Sequence, residues 1–136
     1  MITEIEHTAD AGFECVADSY EEMFREMAMA MLGMAYAVDK VEPSEERELE
    51  IRAEAPDLLL HDFLSELLQV IYYDRFLVAE IEFEHIDFKG LRAKLRGEKF
   101  DPSRHEYKNE IKAVTYHMLA AEPRGDKWFG RVIFDL

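Results

Sequence analysis

Two stretches of this chain place apolar residues at i, i+3, i+4 and i+7, while most of the remainder alternates with period two, and that contrast constrains the fold more than any single motif. The first stretch, Tyr20, Met23, Phe24, Met27, Ala28, Met31 and Met34, makes one helical stripe, read as core packing rather than as an adaptable methionine surface. Ser19-Tyr20-Glu21-Glu22 precedes it in the S-x-x-E form of a capping box. There the Ser19 hydroxyl accepts from the Glu22 amide and the Glu22 carboxylate returns to the Ser19 amide. Gly33 and the polar stretch 39–46 are expected to end this helix. The second stripe, Leu60, Phe63, Leu64, Leu67, Leu68 and Ile71, follows Pro56-Asp57, with Asp57 as the expected cap. His61, Asp62, Ser65 and Glu66 fall on or near the other side and read as a solvated face rather than a metal set.

The alternating segments supply strands. Residues 2–18 read as two extended pieces with a bend at Ala11-Gly12. Residues 47–53 read as a strand with one wet face. Residues 76–88 make a long strand, bulged near Ala79, that turns at Lys89-Gly90 into Leu91, Ala93 and Leu95 as a hairpin. The polar segment 97–109 carries Lys99, Arg104, His105 and Lys108 and reads as a connecting loop. Residues 110–122 and 128–136 should pair antiparallel across the turn Pro123–Asp126. The sum is an α+β fold, a mostly antiparallel sheet covered by two main helices, in a single domain over residues 1–136. At 136 residues the chain can close a core without staples.

The chemistry gathers at the two ends. His7-Thr8-Ala9-Asp10-Ala11-Gly12 concentrates a histidine, a hydroxyl and a carboxylate, and the last strand finishes on Asp135 and Leu136. If the ends meet, two side-chain carboxylates and the α-carboxylate converge, and such repulsion calls for a cation. On spacing alone the alternative is that Asp10 caps a turn while Asp135 ends a strand in water. His7 is either a further ligand or a hydrogen-bond partner that fixes the bend, and the latter is preferred. With 30 acidic against 16 basic residues and a net charge of −14, phosphate backbones are repelled over any large face, so no stable binding of nucleic acid is expected. Hydrolase, phosphate-loop and thiolate-zinc motifs are missing, and the lone Cys15 reads as a buried small hydrophobe. The single cysteine and the lack of a basic-apolar leader predict a cytoplasmic protein, and no segment is apolar for long enough to span a membrane.

Five segments in order carry a family resemblance: E-H-T-A-D-A-G-F, S-Y-E-E-M-F-R-E-M-A-M-A-M, D-L-L-L-H-D-F-L-S-E-L-L, E-I-K-A-V-T-Y-H and the ending R-V-I-F-D-L. Together they resemble archease from end to end. The resemblance implies a helper rather than an enzyme, with no catalytic residue assigned. It implies a cofactor protein of the RtcB-type RNA ligase in tRNA splicing, which promotes GTP-dependent guanylylation of the ligase and its multiple turnover. It also implies a divalent metal, usually calcium, held at the positions that are Asp10, Asp135 and Leu136 here, with Lys112 as a further functional position. Ala11 departs from the β-branched residue more common there. A general chaperone or modulator acting without the metal, and a small metal-dependent hydrolase, are the alternatives.

Overall fold

The computed structural model describes the backbone of residues 1–7 and 10–136 and the side chains of residues 1–5 and 10–136. The elements run β1 (Ile2–His7), β2 (Asp10–Ala17), α1 (Tyr20–Ala35), β3 (Glu45–Arg52), α2 (Pro56–Leu68), β4 (Phe76–Ile86), β5 (Gly90–Lys99), β6 (Ala113–Val114), β7 (Ala120–Arg124) and β8 (Lys127–Asp135). A 3₁₀ turn covers Val38–Lys40 and a π-helical turn covers Gln69–Tyr73. The fold is α+β with antiparallel pairing throughout the described strands. The described strands form two sheets where the sequence suggested one. The larger runs β1-β2-β8-β6 with β7 also on β8, and the smaller runs β3-β5-β4.

Both helices touch both sheets, which explains why their apolar faces are broader than a single stripe. In α1, Leu32 and Ala35 join Met23, Phe24, Met27, Ala28 and Met31 as fully buried residues. The methionines are therefore core, packed so closely on β8 that a Cβ at Gly130 would lie 2.9 Å from the Met23 sulfur. The Ser19 hydroxyl accepts from the Glu22 amide at 3.1 Å, as the capping box requires. Cys15 is fully buried, and burial raises its thiol to about 11, which leaves it an inert hydrophobe.

Several local expectations need correction. Gly33 lies inside α1, which continues to Ala35, because burial on both flanks outweighs the roughly 1 kcal/mol that glycine costs a helix. Ala55 occupies the cap position of α2, with Pro56 at the first turn, and Asp57 instead accepts from the Leu58 amide at 2.8 Å. Ala11 and Gly12 belong to β2, which pairs antiparallel with β1 with Asp10 opposite His7, so the bend expected at Ala11-Gly12 is not there; Thr8 and Ala9 lie outside the described residues. Gly12 is required for close approach rather than for a turn: a Cβ there would overlap the Val132 carbonyl oxygen. The bulge expected at Ala79 is present, between Val78 and Glu80.

Tyr36, the residue that caps α1, was not singled out by its sequence context. Its hydroxyl donates to the Val78 carbonyl at 2.8 Å and accepts from the Val78 amide at 2.7 Å. It thereby acts as a substitute strand on the free edge of β4, and burial pushes its hydroxyl up. Tyr36→Phe should leave both buried Val78 groups unpaired and cost about 2–3 kcal/mol by urea denaturation. A loss below about 0.5 kcal/mol would show that water replaces the hydroxyl.

Candidate functional site

The two ends of the chain meet in the larger sheet. β2 and β8 pair so that Asp10 stands opposite Asp135, followed by Gly12 opposite Ile133 and Glu14 opposite Arg131. Directly opposed residues share a face, and in such a pair the Cβ atoms lie about 4.5–5.5 Å apart. The alternation of β2 fixes which face this is. Ala11, Phe13, Cys15 and Ala17 are buried, while Asp10 and Glu14 are half-buried and Val16 is exposed. Asp10 and Asp135 therefore look outward, away from the helices.

Two further strands flank the pair. In β1, His7 is in backbone register with Asp10, and its side chain lies outside the described residues. In β6, Ala113 is opposite Asp135, and the Lys112 amide donates to the Asp135 carbonyl at 2.8 Å. Lys112, Asp135 and Asp10 are thus neighbours, although 125 residues separate the two aspartates in the sequence.

The donor set suits a hard cation. Carboxylate oxygens are the ligands that calcium and magnesium prefer. Opposed like charges on one sheet face are unfavourable unless something positive joins them. The nearby ion pair of this face, Arg131 to Glu14 at 3.0 Å, engages neither aspartate. Among the described residues no three His, Cys, Asp or Glu side chains gather as a metal group. The described site therefore offers two side-chain carboxylates, and the α-carboxylate of Leu136, one residue beyond Asp135, is the further charged oxygen nearest in sequence.

A buried histidine supports this edge from behind. His61, expected on a solvated face, is only 7 % exposed. Its Nε2 lies 2.9 Å from the Val114 carbonyl and its Nδ1 2.9 Å from Asp62 Oδ1. The Tyr116 ring stacks on it at 3.9 Å and 15°. His61 thus ties α2 to β6, the strand beside Asp135. The clue in the sequence was its own spacing: Leu64 and Leu68 stand three and seven residues on, so His61 continues the apolar stripe.

The positive loop has a different use. Gly97 and Lys99 belong to β5, and the Arg104 guanidinium and His105 bind Glu98. Two basic residues of β5 itself, Arg96 and Lys94, also find internal acids. Arg96 reaches Glu46 at 3.0 Å and Glu82 at 2.8 Å, and Lys94 reaches Glu84 at 3.9 Å. These pairs tie up part of the basic charge within the smaller sheet, and the chain as a whole carries a net charge of −14. Among the described residues no helix is long and apolar enough to cross a membrane.

Comparison with known proteins places this geometry in a family. The model of the Archease protein family matches residues 3–136. The archease of Methanopyrus kandleri is 40 % identical over 98 % of this chain and 97 % of its own, and that of Pyrococcus abyssi is 42 % identical over 96 % and 95 %. The solution structure of Methanobacterium thermoautotrophicum protein 1598 superposes with a TM-score of 0.81 at 33 % identity, covering 99 % of this chain and 98 % of that one. A crystal structure from Thermotoga maritima, described as an archease and possible chaperone, gives a TM-score of 0.68 at 28 % identity, covering 100 % and 98 %. With the match running essentially from end to end, the chain belongs to the archease family.

Proposed function

We propose that this chain is a cytoplasmic cofactor protein of an RtcB-type RNA ligase in tRNA splicing. It promotes the ligase's GTP-dependent guanylylation and its release for further turnovers, and it does no catalysis of its own. The observation that carries the reading is the register that sets Asp10 opposite Asp135 beside Lys112, in a chain of the archease family. Asp10, Asp135 and the α-carboxylate of Leu136 would hold a divalent cation, calcium in the resemblance. When bound, that ion supplies positive charge between the carboxylates and a hard Lewis-acid centre at the protein surface. The residues themselves do the rest: the paired carboxylates mark the contact, Lys112 lies within reach of the same edge, and the acidic surface steers the chain toward a basic enzyme without competing for RNA.

The test is ligation of RNA halves by the cognate ligase at large substrate excess. Without the chain, product should stop near one equivalent of ligase, and with it product should exceed ligase many-fold. Equal yields in both reactions would end the proposal. A metal-independent chaperone is the second reading, favoured by the exposed apolar side chains Tyr73, Tyr116 and Met118. It predicts stimulation that survives chelation when the ligase is preloaded with its own metals.

A further inference from the structure

Besides Met1, Val16, Leu58, Phe88 and Leu136, three large apolar side chains that follow α2 or β6 are exposed. Tyr73 is 83 % exposed, Tyr116 64 % and Met118 54 %; contacts tie Tyr73 and Tyr116 to the edge that carries Lys112 and Asp135, and Met118 stands two residues beyond Tyr116 in the chain. Tyr73 and Lys112 line one groove of about 580 Å³, together with Tyr72, Tyr107 and Ile111. The Lys112 amide holds the Asp135 carbonyl. Two residues on, the Val114 carbonyl meets His61, and the same imidazole is the seat for the Tyr116 ring. Met118 follows at φ +54°, a left-handed conformation uncommon for a residue with a side chain. Tyr73 ends the π-helical turn after α2, a distortion often found at functional sites.

We infer that Tyr73, Tyr116 and Met118 are the apolar anchors of a docking face centred on Lys112 and Asp135, and that its occupant is a basic protein surface. The inference rests on the ligase reading above and names the surface through which it acts. Tyrosine and methionine are enriched at protein interfaces, and aromatic anchors dominate their energetics. The stacking of Tyr116 on a buried histidine fixes it before contact, which lowers the ordering cost of association. Charge selects the occupant. A net charge of −14, with Arg96 and Lys94 already paired internally, attracts a surface of lysine and arginine. The same charge opposes a second copy of this chain and an anionic lipid surface.

The experiment is calorimetric titration of the cognate ligase with the full chain and with Tyr116→Ser/Met118→Ser, Tyr73→Ser and Val16→Ser. Val16 is a control of matched character, exposed on the same sheet but at the far end of β2 from Asp10. Kd should rise at least tenfold for both anchor variants and less than twofold for Val16→Ser. Tyr73→Ser guards against loss of fold, because its side chain is almost wholly in water and its melting temperature should match the parent. Native affinity in both anchor variants, with the parent chain binding, would place the face elsewhere and leave the ligase reading intact. Failure of the parent chain to bind would overturn both together. Self-association or vesicle binding by the parent chain that the anchor variants lose would assign the face to a different occupant and overturn the inference.

Discussion

Asp10→Ala and Asp135→Ala, singly or together, are expected to remove the stimulation of multiple-turnover ligation, lowering product per ligase at least tenfold at a fixed time. The thermal response should separate a lost ion from a damaged fold. In chelator the variants should melt no lower than the parent and even slightly higher, because opposed carboxylates on one sheet face cost roughly 0.2–1 kcal/mol that the substitution relieves. In calcium the order should invert. An ion that binds only the folded state adds about 2.7 kcal/mol at a hundred times its Kd, so the parent should gain several degrees while the variants gain nothing. Lys112→Ala offers a contrast, since removing the lysine deletes no oxygen ligand and should leave the calcium-dependent gain in place. If calcium leaves the parent's melting curve where it was and the double variant still supports repeated ligation, the paired carboxylates are not the working centre.

How much of this was legible beforehand depended on how local each signal was. Both helices could be read from periodicity, because burial of one face repeats every few residues. Their apolar faces extend further, to Leu32, Ala35, Leu59 and His61, because each helix contacts two sheets, and the number of sheets is set by pairings between distant segments. The meeting of Asp10 and Asp135 was expected only on the condition that the ends converge. What supplies the convergence is the eight-residue register between β2 and β8, fixed by alternating burial along both strands. Gly12 shows the limit most clearly. In the sequence it resembles turn glycine, yet it serves as the place where the β8 backbone crosses too closely for a Cβ. The same holds for Tyr36, whose partner Val78 is 42 residues away.

Glu98 carries the largest expected effect on stability, and its position explains what Arg104 and His105 of the basic loop hold. It projects from β5 beneath the 101–105 turn and is 7 % exposed. Its carboxylate accepts from the Glu42 amide at 2.8 Å, from the Arg104 guanidinium, and from His105 Nε2 at 3.0 Å. His105 Nδ1 in turn accepts from the Asp101 amide at 2.9 Å, which assigns the proton to Nε2. The Arg104 guanidinium, then the Glu42 amide, hold the Glu98 carboxyl down at about 2 from its ordinary 4.5. Glu98→Ala would leave a buried imidazole, an amide and a guanidinium without their acceptor. The expected cost is about 3 kcal/mol, at the low end for broken buried pairs because Arg104 is 45 % exposed and regains water. The pH dependence has a fixed sign. A depressed carboxylate stabilises the fold fully above its unfolded value, so this contribution is present above about 4.5 and lost as pH falls toward 2. Urea denaturation at pH 7, 4 and 3 should therefore show the gap between the parent and Glu98→Gln narrowing as pH falls. A gap that stays constant across that range would mean that shape, and not the carboxylate charge, holds the turn against β5.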